Sequence, residues 1–297
     1  MRWCLLPLLA CVVATAAAQT GASGDGALAG RVDKKIEERD RFDSMMRRLP
    51  NGQPMSEAEK VVQAVVDALA GADCPGAAAK LNAGLAKAYP EVLSLAGVML
   101  EEGLCLKPNW ERALGFYERA MAAGQAGVAA RIAAGYAAPI GGRDQAAALW
   151  WAIRAKTALP PVCSSVTPLA ADADKFVAAL NAWPAGQLPA CAYAAAVMAM
   201  IQSDAESPAV AQAYGLKGRF KVSLAPAQGR VEINDDSVLA AGTAPTTTDD
   251  RDATLAKQAF SARLRQLADR ALKRYDKPAG IAADWRSEAE FLVKAGP

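Results

Sequence analysis

Apolar residues recur at helical spacing along residues 57–203. The segment "SEAEKVVQAVVDALAG" starts with Ser56, a favoured N-cap residue, and carries Glu59 three positions later, as a capping box requires. The next segment, "CPGAAAKLNAGLAKAYP", has the composition of a second helix antiparallel to the first. This pattern predicts a series of helix hairpins.

The clearest hairpin is predicted within residues 97–124, "GVMLEEGLCLKPNWERALGFYERAMAAG". Gly97 has no side chain and lets a neighbouring helix approach, Gly103 ends the first helix, and Asn109 caps the second. The second helix then has a single apolar face, formed by residues at helical spacing: Ala113, Phe116, Tyr117 and Ala120.

The same apolar face returns 34 residues later in the chain. In "VAARIAAGYAAPIGGRDQAAALWWAIRAK" the equivalent positions are Ala147, Trp150 and Trp151. A period in the mid-thirties with two helices per unit is typical of a solenoid, in which each hairpin buries its apolar face against the next. The alignment predicts that at least one of the two tryptophans lies in the core, and the alternative is a pair of aromatic rings that stack on a sugar.

The repeated unit resembles a known family. The residues that carry the resemblance are Ala96-Gly97-x-Met99-Leu100-x-x-Gly103-x-Cys105-Leu106-x-x-Asn109-x-x-Arg112-Ala113-x-x-Phe116-Tyr117-x-Arg119-Ala120-x-x-x-Gly124. This pattern resembles the Sel-one-like repeat, a relative of the tetratricopeptide repeat, over residues 90–156. It departs from the family at Cys105, where glycine is usual, and in a shifted loop from Pro139 to Asp144. The resemblance implies an α-solenoid over residues 57–203, with helices at 57–88 and 167–203 as degenerate or capping units.

Beyond about residue 204 the apolar period changes from helical to two. Phe220, Val222 and Leu224 alternate with Arg219, Lys221 and Ser223, the segment "APAQG" turns the chain, and Val231 and Ile233 continue the alternation. The segment "GTAPTTTDDRD" is predicted to be a flexible connection. A long helix follows that ends before Pro278, and its apolar face consists of Phe260, Leu264, Leu267, Ala271 and Tyr275. The last segment alternates Ala289, Phe291 and Val293, as a third strand does.

This second part resembles the TonB C-terminal domain. The residues concerned are Pro208-x-x-Ala211-x-x-x-Gly215-x-x-Gly218-x-Phe220-x-Val222-x-Leu224-x-x-x-x-Gly229-x-Val231. Another small α+β hairpin domain with similar glycine and proline positions is the alternative, and the loop over 235–252 is longer than usual in the family. The predicted fold class is therefore α+β, an N-terminal α-solenoid of helix hairpins followed by a small αββαβ TonB-C-like domain over 204–297.

The TonB resemblance implies a way of binding rather than energy transduction. Transducing members have a histidine motif in a membrane helix and a proline-rich spacer, and this chain has neither a histidine nor that spacer. What carries over is an edge strand that accepts an extended peptide through main-chain hydrogen bonds. The edge is predicted at the final strand, 288–294, with these partner-binding residues: Glu288, Glu290, Leu292 and Lys294.

The N-terminus has the pattern of a secretory signal peptide. Arg2 precedes an uncharged apolar run, and Ala16-Ala17-Ala18 provides a cleavage site, so residues 1–18 are predicted to be removed. A membrane anchor is one alternative, although a span needs about 20 apolar residues. A lipoprotein site at Cys11 is another. Residues 19–56 are predicted to form a flexible charged linker, and the mature chain is expected to be soluble and periplasmic.

Four of the six cysteines lie outside the predicted signal peptide: Cys74, Cys105, Cys163 and Cys191. In an oxidising compartment they predict two disulfides, with three possible connectivities. The repeat resemblance implies that Cys74 and Cys105 occupy equivalent inter-helix loops and are neighbours. Cys163 and Cys191 then pair on either side of a helix predicted to begin at Thr167. A metal site is not expected, because the chain lacks both histidine and a C-x-x-C motif.

The remaining chemistry in the sequence is sparse. Lysine and arginine (33) balance aspartate and glutamate (31), and no basic block is long enough for nucleic acid. No G-x-S-x-G, phosphate loop or dinucleotide motif occurs, so no catalytic residue and no cofactor are predicted. Glu101 and Glu102 are adjacent on a helix and point about 100° apart, and we expect them to be solvated rather than to act as an acid/base pair.

These patterns predict a periplasmic, non-enzymatic adaptor that binds proteins of the envelope, with TonB-type transport as the implied setting. The alternative is a repeat protein that binds cell-wall or β-lactam ligands with weak hydrolytic activity. A third hypothesis is a true transducer that keeps an uncleaved N-terminal anchor.

Overall fold

The computed structural model describes residues 56–139, 143–205, 216–234, 240–241 and 250–293. The predicted signal peptide (1–18), the linker up to residue 55, the short helix predicted over 208–215, and Lys294 lie outside the described residues. Within the described ranges the protein is α+β, with a helical part followed by a small antiparallel sheet. None of the helices in these ranges combines the length and the apolar composition of a membrane span.

The described helices are α1 (Glu57–Ala70), α2 (Cys74–Leu85), α3 (Pro90–Glu102), α4 (Trp110–Ala122), α5 (Val128–Ala137), α6 (Gln145–Arg154), α7 (Pro161–Ser164), α8 (Ala173–Asn181), α9 (Gln187–Asp204) and α10 (Asp250–Arg274). A 3₁₀ turn covers Thr167–Leu169. The strands are β1 (Leu216–Ala225), β2 (Arg230–Asn234), β3 (Ala240–Ala241) and β4 (Ser287–Val293).

Short polar side chains fix the starts of several helices. The Ser56 hydroxyl accepts a hydrogen bond from the N–H of Glu59, and the Glu59 carboxylate accepts one from the N–H of Ser56, which confirms the predicted capping box. Gly103 ends α3 with a φ of 67°, the left-handed conformation expected of a C-terminal glycine. The other N-cap side chains that accept from the backbone are Asp73, Asn109, Asp144 and Asp172.

The helix predicted to begin at Thr167 starts elsewhere. Thr167 and Pro168 form the 3₁₀ turn, whereas α8 begins at Ala173. Asp172 is the N-cap of α8, because its carboxylate accepts a hydrogen bond from the N–H of Lys175. The prediction at Thr167 was wrong, because the chain makes a single 3₁₀ turn there and the helix starts only after Asp172.

Consecutive helices contact one another in pairs: α1 with α2, α3 with α4, and α5 with α6. The helix α9 lies at the centre of the molecule, where it contacts α5, α6 and α10. Every residue of α9 from Ala190 to Ile201 is buried. A helix that is apolar on all sides is buried on all sides. Because α9 contacts helices of both parts of the chain, it joins the helical part to the C-terminal part.

The sheet is organised around β1. Antiparallel pairing joins Ala225 of β1 to Arg230 of β2, and Leu224 of β1 to Ser287 of β4. Gly229, with a φ of 61°, lies in the turn between β1 and β2. The short strand β3, which the sequence did not predict, pairs with the first two residues of β1.

The apolar faces predicted for the C-terminal part are confirmed. The residues Phe220, Val222 and Leu224 of β1 are fully buried, and the predicted face of α10 is buried as well. The rings of Phe220 and Phe260 meet edge to face, with centroids 4.6 Å apart. The start of α10 differs from the prediction, because the helix begins at Asp250, inside the segment expected to be a flexible connection.

One cluster of buried side chains runs from the α3–α4 pair through α9 to the sheet and α10. It includes Tyr117 from α4, Met198 from α9, and Phe220 from β1. The boundary predicted between residues 203 and 204 passes through this cluster. The two parts of the chain therefore pack against each other rather than standing apart.

Gly97 marks the close approach of α3 and α4. A Cβ atom at this position would overlap the ring of Tyr117, which is fully buried. We expect Gly97→Ala to lower the free energy of unfolding by about 1–3 kcal/mol, because an added methyl group overpacks the core. Urea unfolding measures the change.

Gly115 of α4 provides the matched control for this substitution. A Cβ atom there has no neighbour within 4 Å. Gly115→Ala is expected to raise the free energy of unfolding by about 0.5–1 kcal/mol, because alanine favours a helix interior over glycine. Equal destabilisation by both variants would show that packing at Gly97 is not the cause.

Candidate functional site

The strand β4 lies at one edge of the sheet. It pairs with β1 over the whole register from Gly218 and Val293 to Leu224 and Ser287. Among the described residues β4 has no other strand partner. Along an unpaired edge, every second residue presents its N–H and C=O groups outward, ready for another chain.

The two faces of β4 differ in character. Ser287 is buried and Phe291 is half-buried on the face toward the core, whereas Glu288 and Glu290 are exposed on the other face. Glu288 contacts Lys221 across the strands, with Nζ and Oε2 2.6 Å apart, and this hydrogen bond holds the pKa of the Glu288 carboxyl below its usual value.

The four residues predicted to bind a partner are not all described. Glu288 and Glu290 lie on the exposed face of β4, where Glu290 is 3.8 Å from Arg219. Leu292 stands opposite Arg219 in the register of the two strands. Lys294 lies outside the described residues. The strand itself is one residue displaced from the predicted 288–294 and covers Ser287–Val293.

A groove of about 550 Å³ lies beside the beginning of β4. One wall comes from residues 159–162 of the helical part, and the other from residues 284–286 and Glu288. The groove is mainly apolar, with three charged residues at its rim. Its lining consists of Leu159, Pro160, Pro161, Val162, Asp284, Trp285, Arg286 and Glu288.

The arginine at the rim of this groove fixes the loop before β4. The guanidinium of Arg286 donates to the carbonyl oxygens of Ala283 and Trp285 through Nη1, at 2.8 Å and 2.7 Å. The N–H of Trp285 donates in turn to the carbonyl of Ala282. These bonds stabilise the turn that leads into β4. No local pattern in the sequence indicated the groove, because its two walls are far apart along the chain.

Both cysteine pairs form disulfides in the structure, Cys74–Cys105 and Cys163–Cys191. The first joins the start of α2 to the loop after α3, and the second joins α7 to α9. Cys105 has a φ of 56°. The backbone at this position is therefore in the left-handed region that glycine favours.

A second feature is a cluster of charges between the helical part and α10. Three guanidinium groups and three carboxylates alternate in it, and most of them are nearly buried. Its members are Glu101 and Glu102 of α3, Arg131 of α5, Asp204 of α9, and Arg270 and Arg274 of α10. We call this set the buried charge cluster.

Arg131 is at the centre of the buried charge cluster. Its Nε donates to Glu101 at 2.7 Å, Nη2 to Glu102 at 2.8 Å, and Nη1 to Asp204 at 2.6 Å. Burial acts to lower the pKa of Arg131. The carboxylates of Glu101 and Asp204 act in the opposite direction and hold this pKa well above its ordinary value. Each of the three guanidinium nitrogens therefore donates to a carboxylate.

The helix α10 completes the cluster from the C-terminal side. Arg274 donates to Glu101 through Nη2 at 2.7 Å and to Glu102 through Nη1 at 2.6 Å, and Arg270 contacts Asp204. Tyr275, the next residue, donates to the carbonyl of Ala134 at 2.9 Å. The cluster thus links α10 to three helices of the helical part.

The expectation that Glu101 is solvated was wrong. Its side chain is 4% exposed, and its two oxygens accept hydrogen bonds from Tyr117, Arg131 and Arg274. Burial of a carboxylate is tolerated only with such partners. One signal was present in the sequence: acidic residues at the ends of α3 and α9 oppose the helix dipole and therefore need cations nearby.

The prediction that at least one of the two tryptophans, Trp150 and Trp151, lies in the core is confirmed. Trp151 is buried, although the N-caps Asn109 and Asp144 are 35 residues apart rather than the predicted 34, so that Trp151 is equivalent to Phe116 and not to Tyr117. Trp150 is half-buried, and its indole N–H donates to the carbonyl of Ala170 at 3.0 Å. Arg154 lies over the Trp150 ring, 4.4 Å from its centroid. Both rings are therefore engaged in internal contacts.

Tyr117 and Tyr275 make the stability of the protein sensitive to alkali. Burial raises the pKa of each hydroxyl well above its usual value. A tyrosine with a raised pKa in the folded state contributes its full stabilisation below the unfolded-state pKa of about 10 and loses it as the pH rises further. We expect the free energy of unfolding to fall above pH 10.

The variant Tyr117→Phe tests this pH dependence. Each buried tyrosine that stays protonated in the folded state contributes a slope of about 1.4 kcal/mol per pH unit above the unfolded-state pKa. Urea unfolding at several pH values between about 10 and 11.5 is expected to give a shallower slope for Tyr117→Phe than for the natural protein. Identical slopes would contradict the assignment to Tyr117.

Comparison of the chain with protein-family models, with curated proteins and with solved structures gives no match. The Sel-one-like and TonB-like resemblances therefore stay predictions. The observations that bear on function are the geometry of the β4 edge, the groove beside it, and the contacts that support them.

Proposed function

We propose that this protein is an exported, non-enzymatic adaptor that binds an extended segment of an envelope protein at the β4 edge. The observation that carries the proposal is the open edge itself. Over the described residues β4 pairs on one side only, and the face that carries Glu288 and Glu290 is solvated. Addition of a strand to such an edge gives affinity through main-chain hydrogen bonds.

The rest of the chain supplies a rigid mounting for this edge in the proposal. The sheet packs on α10 through the Phe220–Phe260 contact, and the buried charge cluster fixes α10 to the helical part. A TonB-C-like domain would then present the edge, and a Sel-one-like solenoid would offer a second surface for another partner. The two disulfides agree with export to an oxidising compartment such as the periplasm.

Site-specific photo-crosslinking in the cells that produce the protein tests the proposal. A photoreactive residue at position 288 or 290 is expected to give a discrete adduct with a second protein, because both side chains border the open edge. Lys273, an exposed residue of α10 in the same part of the chain, is the matched control position. Adducts at position 273 with none at 288 and 290 would contradict the proposal.

The alternative from the sequence, a binder of cell-wall or β-lactam ligands with weak hydrolytic activity, has a separate test. Incubation with a fluorescent penicillin followed by a denaturing gel leaves a label only if the ligand is held covalently. A labelled band that is lost on competition with unlabelled penicillin would favour this alternative over the adaptor.

A further inference from the structure

We propose that the segment bound at the β4 edge carries basic side chains at alternate positions, followed toward its C-terminus by an apolar residue that enters the groove beside Trp285. This inference rests on the proposed function, because it describes the ligand of the same edge. It is carried by three observations: the charges on β4, the direction of β4, and the position of the groove.

The charges on the exposed face select the residue type. The row of side chains nearest to an added strand contains Glu288 and Glu290, whereas the basic residues Arg219 and Lys221 lie one strand further in. A carboxylate has two oxygens with about four acceptor sites, so Glu288 and Glu290 can accept from both sides. Opposite charges directly across a strand pair stabilise it, and like charges destabilise it. Basic side chains on the incoming strand are therefore favoured.

The direction of β4 determines which end of the ligand meets the groove. Antiparallel pairing is the more stable arrangement for an added strand. Because β4 runs from Ser287 to Val293, an antiparallel partner would pass Val293 first and reach Ser287 at its C-terminal end. On this side the groove is lined by residues 284–286 and by Glu288, immediately before and at the start of β4. The C-terminal part of the ligand would thus lead into the groove.

The groove suits an apolar side chain. Its volume of about 550 Å³ lies within the range of small-ligand pockets, and five of its eight lining residues are apolar: Leu159, Pro160, Pro161, Val162 and Trp285. The two prolines have no N–H group, so at these two positions the wall offers no main-chain donor to the ligand. The loop that carries Trp285 is already held by Arg286.

A display library of random ten-residue peptides, panned against the exported full-length protein, tests the charge preference. Peptides selected by the natural protein are expected to carry Lys or Arg at alternate positions. The variant Glu288→Lys/Glu290→Lys is expected to bind them about five- to thirtyfold more weakly and to select Asp or Glu there instead. Asp269→Lys, a charge change of the same sign at an exposed position of α10, is the control and is expected to leave binding unchanged.

A neutral variant keeps the test valid if the charge-reversed protein does not fold. Glu288→Gln/Glu290→Gln only removes charge from two exposed side chains, and it is expected to lose the preference for basic peptides. Another outcome is that the selected peptides carry no charge pattern in their sequences and bind the natural protein and this variant equally well. That result would overturn the inference, but it would leave the proposed function standing. Failure of every selected peptide to compete with the crosslink at position 288 counts against the proposed function as well.

Trp285→Ala tests the role of the groove. It is expected to weaken binding of a selected peptide about tenfold, on the order of one lost large apolar contact. A peptide shortened by its C-terminal apolar residue is expected to bind the natural protein and Trp285→Ala equally. Equal binding of the full peptide to both proteins would overturn the assignment of the groove.

Discussion

Arg131→Met is expected to lower the free energy of unfolding by about 3–5 kcal/mol. The change removes one of the three cations of the buried charge cluster, so that Glu101, Glu102 and Asp204 keep only Arg274 and Arg270 as partners and one negative charge is left uncompensated. Removing one partner from a buried ion pair is costly because the remaining charge stays buried without compensation. Urea unfolding is the appropriate measurement, because guanidinium chloride is a salt and screens charges.

The exposed ion pair between Arg143 and Asp276 provides the matched control. It also joins the helical part to the C-terminal part, but its side chains are 43% and 79% exposed. Arg143→Met is expected to change the free energy of unfolding by less than about 1 kcal/mol, because exposed pairs contribute little. Equal effects of the two variants would contradict the role assigned to burial.

A double-mutant cycle separates the interaction energy of Glu101 and Arg131 from the cost of leaving one of these buried charges without its partner. Glu101→Gln and Arg131→Met are each expected to destabilise the protein, whereas the double variant is expected to be more stable than the sum of the two single losses predicts. The two residues are hydrogen-bonded at 2.7 Å, so their effects should not add. Strict additivity would show that Glu101 and Arg131 do not act as one unit.

Loss of the Cys74–Cys105 disulfide is the second large effect. The double variant Cys74→Ser/Cys105→Ser is expected to be less stable by about 3.5 kcal/mol, because the bond closes a loop of 31 residues in the unfolded chain. Urea unfolding under non-reducing conditions measures the loss.

Reduction of the natural protein provides the comparison for the disulfide. A reducing agent breaks both bonds, so it is expected to destabilise the natural protein by more than it destabilises the double variant, which has only Cys163–Cys191 left to lose. A double variant that unfolds at the same urea concentration as the natural protein would contradict the stabilising role of the Cys74–Cys105 bond.

The features that the sequence predicted correctly depend on neighbours along the chain. The capping box at Ser56, the end of α3 at Gly103, and the alternation around Val222 each involve residues within a few positions of one another. Periodicity and capping rules describe such local relations directly. The apolar face of α10 could be predicted for the same reason.

The features that the sequence did not predict depend on residues brought together by the fold. Glu101 meets Arg274 across 173 residues, and no local pattern connects the two. The groove likewise joins Pro160 to Trp285. The strand β4 could be predicted from its local alternation, whereas its place at the sheet edge was implied only by the TonB resemblance, and its charged supports and the groove could not be predicted.

Amide hydrogen exchange on the purified protein, free and saturated with a selected peptide, tests the central claim most directly. If an extended segment binds by strand addition, every second amide of β4 between Ser287 and Val293 gains protection while β2 is unchanged. If the peptide binds and no amide of β4 gains protection, strand addition is contradicted, because recognition then does not occur through the main chain of this edge.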